Sequence, residues 1–254
     1  METLEGAVKQ GYFWHMDRLL QEPDLKPLHG SPRFERIVNK SEGLRQKAQL
    51  HAKPLLKVLY PRAKRDGYPL MVTLHGRGGN ATEHAERWRS LTAQGVLTAF
   101  PQSSQVFDKG GYCWDDEAIA ERELGGAVAK LMRTHRVDPE KFVMGGFSQG
   151  GTLALKLALE QKPARTKGFV AVVPALRGKM DSLMPLIDGA AERGLRGYLF
   201  TGERDFARSA VEQFHKEARA IELSCGLSVE KNLGHDYPND FGPKLASAVK
   251  FVLA

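Results

Sequence analysis

Gly146-Phe147-Ser148-Gln149-Gly150 is the stretch that decides the fold. An apolar run at 141–145 precedes it, and residues 151–160 after it have the composition of a helix. This order predicts a strand, a very tight turn and a helix, with Ser148 forced into a positive-φ conformation. Residues 146 and 150 must be tiny, because the strand and helix backbones nearly touch there. The alternative is a glycine-rich turn whose serine only caps the helix.

The composition is that of an ordinary globular protein. The 254 residues are 42% hydrophobic and 26% charged, enough for one α/β domain with a small appendage. The net charge is +7, but the 37 basic residues are interleaved with 30 acidic ones, which favours a solvated basic surface and no binding of nucleic acid. No apolar stretch approaches the roughly 18 residues of a membrane span.

The N-terminus and the cysteines indicate the cellular compartment. The acidic N-terminus lacks the apolar core of a secretory signal. Cys113 and Cys225 are far apart and show no metal-ligand pattern, so we expect free thiols in a reducing cytoplasm. We expect neither a metal nor a cofactor, and a homo-oligomer is compatible with the sequence.

The chain divides at about residue 52. Residues 1–52 carry two short helical patterns separated by prolines, and they predict an N-terminal helical extension packed on the body of the protein. A role in covering the site or binding a partner is the alternative. Residues 53–254 alternate strands and helices, which predicts a mostly parallel sheet with helices on both faces. Asp66-Gly67, between the first two strands, predicts a β-hairpin.

Four loops that follow predicted strands carry the residues that acyl transfer needs. In parallel sheets ligands bind beyond the carboxyl ends of the strands, so these loops should meet at one edge. A serine hydroxyl is a poor nucleophile until a histidine, oriented by a carboxylate, takes its proton. Two backbone N–H groups must also face the oxygen that becomes negative. The loops are His75-Gly76-Arg77-Gly78-Gly79, the turn at Ser148, Gly202-Glu203-Arg204-Asp205 and Gly234-His235.

Each residue has one expected role. Ser148 is the candidate nucleophile, His235 the general base and then acid, and Asp205 its orienting partner. The backbone amide of Gln149, directly after the serine, is one candidate oxyanion donor. The amide of Arg77 is the other.

Other residues compete for two of these roles. Seven further histidines lie in helical or N-terminal segments or, for His75, at a strand end, where we expect it to brace the loop. Glu203, Asp181 and Asp188 are alternative acids, and Asp236 is interpreted as structural.

Together these motifs resemble the phospholipase/carboxylesterase group of α/β-hydrolases, which includes the acyl-protein thioesterases. The resemblance covers about residues 55–254. It implies an α/β-hydrolase catalytic domain at 53–254 and a Ser-His-Asp triad that cleaves carboxylic or thio esters through an acyl-enzyme, without metal or cofactor. Two departures stand out: Arg77 replaces an apolar residue, and the N-terminal extension is additional. A serine peptidase of the same fold and a non-catalytic binding protein are the alternative functions.

The substrate is expected to be a small-molecule ester. Trp114, Phe206 and Tyr237 are the candidate substrate contacts, with packing of the loops on the sheet as the alternative. Short loops and no long inserted cap predict an open site for short-to-medium acyl chains, unless the N-terminal extension folds over it. The Arg77 side chain is a candidate contact for an acidic group.

Overall fold

Strands and helices alternate along the chain in the computed structural model, which describes residues 1–254. The strands are β1 (Leu55–Leu59), β2 (Tyr68–Leu74), β3 (Leu97–Gln102), β4 (Val106–Asp108), β5 (Gly111–Tyr112), β6 (Val137–Phe147), β7 (Gly168–Val172), β8 (Arg196–Gly202) and β9 (Ser224–Glu230). The helices are α1 (Glu2–Lys9), α2 (Met16–Gln21), α3 (Pro32–Gln49), α4 (Ala81–Trp88), α5 (Glu117–Thr134), α6 (Gln149–Glu160), α7 (Met180–Glu192), α8 (Arg208–Ala220) and α9 (Phe241–Leu253).

Seven strands form one sheet in the order β1-β3-β2-β6-β7-β8-β9. Every neighbouring pair is parallel except β1 and β3. Alternate residues of β2 face opposite sides, so Leu70 and Val72 join the core under α5 to α8, while Met71 joins the core under α4 and α9. The mostly parallel sheet with helices on both faces confirms the predicted fold class.

The predicted hairpin between β1 and β2 is wrong. β1 pairs antiparallel with β3, from Leu55 opposite Gln102 to Leu59 opposite Thr98. Both edges of β2 are already occupied by parallel neighbours, β3 and β6, so β1 can add only to the free edge of β3. The Asp66-Gly67 turn therefore lies in a connection between strands that are not neighbours.

Residues 1–49 form three α-helices that pack beside the sheet domain. A small apolar cluster of their own contains Leu19, Phe34 and Val38 and is separate from the two cores on the sheet. The Gln49 side chain donates to the carbonyl of Ser104 at 2.9 Å and accepts from the Val106 amide at 2.8 Å, which ties α3 to the β4–β5 hairpin. None of the helices has the length and apolar composition to cross a membrane.

Ser41 makes the central link within this extension. Its hydroxyl accepts from the Trp14 amide at 2.8 Å and donates to the Trp14 carbonyl at 2.9 Å, and the residue is fully buried. Ser41→Ala leaves both backbone groups unpaired, so we expect it to lower the free energy of unfolding by about 1–3 kcal/mol in a urea titration. Ser90→Ala is the matched control, because the buried Ser90 hydroxyl has no hydrogen-bond partner and should be removable without loss. Equal effects of the two changes would contradict this assignment.

Candidate active site

The turn between β6 and α6 has the strained geometry that its sequence predicts. Ser148 has φ 52° and ψ −119°. A Cβ on Gly146 would lie 2.5 Å from the carbonyl carbon of Gly150, and one on Gly150 would lie 2.3 Å from the carbonyl oxygen of His75. No side chain fits at either position, so the two glycines allow the strand, the helix and the end of β2 to meet.

The ends of three strands bring Ser148, His235 and Asp205 into one hydrogen-bonded chain. His235 Nε2 lies 2.7 Å from Ser148 Oγ, and His235 Nδ1 lies 2.9 Å from Asp205 Oδ2. Gly202, at the end of β8, allows the acid and histidine loops to approach, since a Cβ there would lie 2.2 Å from the carbonyl oxygen of Leu233. A histidine that donates from Nδ1 to a carboxylate keeps Nε2 free to accept the serine proton.

The surroundings hold the acid and the histidine in place. The Asp205 side chain is fully buried, and its second oxygen accepts the Ala207 amide at 2.6 Å. The His235 ring lies against Phe206, at 4.5 Å between centroids, and against Phe147, at 5.6 Å. These contacts leave the imidazole few orientations other than the one that faces Ser148.

The alternative acids lie elsewhere. The Glu203 carboxylate accepts the Asn232 amide at 2.9 Å, and Asp236 accepts the amide of its neighbour Tyr237. Asp181 and Asp188 lie on α7. None of the four bonds to His235.

The two candidate oxyanion donors are linked through their side chains. Asp115 accepts from Gln149 Nε2 at 2.6 Å and from Arg77 Nη2 at 2.7 Å, and Gln149 Oε1 accepts the Trp114 amide at 3.0 Å. The Arg77 amide makes no hydrogen bond within the protein, and the Gln149 amide is the first of α6, where helical N–H groups lack a partner. Both amides are therefore available beside Ser148.

Asp115 is the residue of this site that sequence reasoning missed. Burial opposes ionisation of its carboxyl, but the hydrogen bonds from Arg77 and Gln149 outweigh it and lower the pKa. Arg77 also donates to Asp17 of α2 at 2.8 Å. The acidic groups that the Arg77 side chain meets are therefore two carboxylates of the protein itself.

A cavity of about 450 Å³, here called the serine cavity, opens beside Ser148. Trp114 and Phe206, two of the candidate substrate contacts, line it. Phe206 is 56% exposed, whereas Trp114 is buried and donates its indole N–H to the His75 carbonyl at 2.9 Å. The other apolar lining residues are Leu153, Ala175 and Leu183, and the polar ones are Arg77, Asp115, Glu117, Gln149, Thr152, Lys156, Lys179 and Ser182.

Tyr237 does not line the serine cavity, which argues against the expected substrate contact. Its ring stacks on Phe147 at 4.4 Å, and its hydroxyl lies 3.0 Å from His84 Nδ1 and 3.4 Å from Trp88 Nε1. Burial raises the pKa of this phenol. Tyr237 instead lines a second cavity of about 590 Å³ beside the 75–80 loop.

Comparison with solved structures agrees with the fold described above. An uncharacterized protein from Bacillus cereus is 27% identical and superposes with a TM-score of 0.69, and the match covers 98% of this chain and 80% of that protein. Esterase PE8 is 19% identical over 79% of this chain and 99% of its own, with a TM-score of 0.62. Acyl-protein thioesterase 2 of Zea mays is 18% identical over 79% of this chain and 99% of its own, with a TM-score of 0.59. The chain has the α/β-hydrolase fold.

Sequence comparison adds one curated relative. The protein named "Putative esterase NocK" of Nocardia uniformis subsp. tsuyamanensis is 33% identical over 125 residues, which is 44% of this chain and 33% of that protein. The chain therefore matches only about a third of the length of that relative. No family model matches the chain.

His75 predicts how the stability of this hydrolase fold depends on pH. The ring is buried against Trp114 at 4.8 Å, Nδ1 lies 2.9 Å from the Gly76 carbonyl, and Nε2 has no partner. Burial lowers the pKa of His75 to about 4. Between pH 6.5 and 4 the His75 imidazole binds a proton in the unfolded chain but not in the folded chain. The free energy of unfolding is therefore highest, as far as His75 is concerned, above pH 6.5, and it falls as the pH is lowered from 6.5 to 4.

We expect the free energy of unfolding to fall by up to about 3 kcal/mol over that range on account of His75. Buried His84, whose pKa is also lowered by burial, adds to the fall. His75→Gln should flatten the curve measured by urea titration at successive pH values, whereas His51→Gln, at an exposed position, should leave it unchanged. Parallel curves for wild type and His75→Gln would refute the assignment.

Proposed function

We propose that this protein is a serine hydrolase that cleaves carboxylic or thio esters of short-to-medium acyl chains through an acyl-enzyme. The observation that carries the proposal is the hydrogen-bonded chain from Ser148 through His235 to buried Asp205, which ends beside a cavity. The esterases and the thioesterase among the structures of the same fold support the same class of reaction.

The first half of the reaction forms the acyl-enzyme. His235 Nε2 takes the hydroxyl proton as Ser148 Oγ attacks the carbonyl carbon of the ester, and the carbonyl oxygen becomes negative. The amides of Arg77 and Gln149 donate to that oxygen, and the positive end of α6 favours the same charge. When the intermediate collapses, the bond to the leaving alcohol or thiol breaks, and His235 gives that group its proton.

The second half regenerates the serine. Water enters, His235 takes one of its protons, and the resulting hydroxide attacks the acyl carbon. Collapse of this second intermediate releases the carboxylic acid, and the proton on His235 returns to Ser148 Oγ. Asp205 stabilises the imidazolium in both halves and is not itself protonated.

Five apolar side chains line the serine cavity together with polar and charged ones, and no residue of the N-terminal extension does so. The apolar part of this lining suits a small acyl or aryl group. A serine peptidase would cleave a matched amide as well as the ester. A binding protein has no use for a serine at positive φ, since backbone strain of this kind costs about 1–3 kcal/mol.

The proposal also covers the domain organisation and the cellular compartment. Catalysis belongs to residues 53–254, which supply the serine, the histidine, the acid and both amides, and residues 1–52 are an extension of that catalytic domain. Cys113 and Cys225 are both unpaired, which fits a cytoplasmic enzyme with a small-molecule substrate.

Ser148→Ala tests the proposal directly. We expect the wild-type chain to hydrolyse p-nitrophenyl esters and to be labelled by a fluorophosphonate. For the variant we expect a loss of at least about 10³-fold in kcat, because the other hydroxyls in the cavity, on Thr152 and Ser182, donate to backbone carbonyls and not to a histidine. Ser247→Ala, a surface serine of α9, is the matched control and should retain full activity. Absence of both turnover and labelling in folded wild-type protein would refute the enzyme assignment.

Ala175→Leu tests which part of the ester occupies the serine cavity. Ala175 lines this cavity, and its amide lies 3.4 Å from the Ser148 carbonyl oxygen. If the cavity holds the acyl chain, the added volume should move the best p-nitrophenyl ester from a middle to a shorter acyl length and leave acetate hydrolysis within about threefold. A shift seen only when the alcohol is varied would place the leaving group there instead.

A further inference from the structure

The N-terminal extension touches the candidate active site at α2. Arg18 pairs with Asp108 at 2.7 Å, and Asp108 also accepts the His15 amide at 2.9 Å. The His15 ring stacks on Phe107, at 4.9 Å and 12° between planes. These contacts hold the start of α2 on the β4–β5 hairpin, next to the 75–80 loop.

Asp17 extends this contact to the candidate oxyanion residue. Its carboxylate accepts from Arg77 Nη2 at 2.8 Å, while Asp115 accepts from both Nη2 and Nε of the same guanidinium. The Phe107 ring lies under that group, 4.5 Å from its central carbon. Arg77 is thus held by two carboxylates and an aromatic face, in a fork that a lysine would not satisfy.

We propose that Asp17 is a positioning residue for the oxyanion hole, by which the N-terminal extension sets the direction of the Arg77 amide. This inference rests on the proposed function. The loop after Arg77 is held by backbone hydrogen bonds to β5, from the Gly78 amide to the Tyr112 carbonyl and from the Tyr112 amide to the Gly79 carbonyl, each at 2.8 Å. The Arg77 amide follows the flexible Gly76 and has no partner within the protein, so the anchored side chain is an additional constraint on the direction of that N–H.

Asp17 contributes more to the position of the Arg77 side chain than to folding stability or to neutralisation of the guanidinium. Asp115 alone neutralises Arg77, so a second carboxylate is not needed for that purpose. The pair is also partly exposed, 35% for the Arg77 side chain and 38% for Asp17, and exposed pairs add little to the free energy of unfolding. Removal of Asp17 should therefore affect catalysis without affecting folding.

The Bacillus cereus structure covers 98% of this chain and therefore includes a counterpart of the extension, whereas esterase PE8 and the Zea mays thioesterase cover 79%. The fold thus occurs in structures that match a smaller share of this chain.

Asp17→Ala in the full chain tests the inference on a p-nitrophenyl ester, because alanine removes the acceptor oxygen that asparagine would keep. We expect kcat to fall about three- to tenfold with KM within about twofold, less than the 10²–10³-fold of a lost donor, because the amide remains but is poorly directed. A trifluoromethyl ketone that mimics the tetrahedral intermediate should bind more weakly by the same factor. Asp17→Glu, which keeps the carboxylate, should recover most of the rate, and Tm should not change in either variant.

Glu5→Ala is the matched control. It breaks the Glu5–Arg33 pair inside the extension, away from Arg77, and should leave kcat unchanged. Wild-type kcat in Asp17→Ala, or an equal loss in Glu5→Ala, would overturn the inference while the proposed function stands. If wild-type protein shows no turnover that depends on Ser148, the proposed function fails and this inference fails with it.

Discussion

The contact between the start of α6 and the end of β2 determines the geometry of the whole site. Gly150 lies so close to the His75 carbonyl that a Cβ would clash at 2.3 Å. This contact fixes the turn that strains Ser148, and it also sets the distance between the Gln149 amide and the 75–80 loop. One backbone packing constraint therefore presents the serine and brings the two candidate oxyanion donors together, which explains why the chain accepts the strain.

The histidine loop is held from the other face of the sheet. Tyr237, two residues after His235, bonds to His84 of α4 and stacks on Phe147, which is itself adjacent to Ser148. His84 Nε2 in turn lies 2.9 Å from the hydroxyl of buried Thr73 on β2. The core under α4 and α9 thus supports the positions of both His235 and Ser148, so packing in that core and the alignment of the candidate triad depend on each other.

Short-range sequence motifs predict much of this site. Features that depend on contacts between residues far apart in the sequence could not be predicted. The turn at Ser148 and the loop that ends in Asp205 carry their own local signal, glycines at fixed offsets after an apolar run. The role of Asp115 depends on the side chains of Arg77 and Gln149, which lie 38 and 34 residues away in the chain, and no local sequence pattern indicates it. The Asp66-Gly67 hairpin was wrong for the same reason, because strand pairing depends on which sheet edge is free.

Arg77 shows how an unexpected charge is accommodated in such a site. With Asp17 and Asp115 both bonded to it, the cluster carries a formal charge of −1, so the guanidinium adds no net positive charge beside Ser148. Stabilisation of a developing oxyanion must then come from directed backbone amides and the N-terminus of α6. Because such amides act only at the correct angle, rigid anchoring of the Arg77 side chain matters more for the proposed reaction than its charge does.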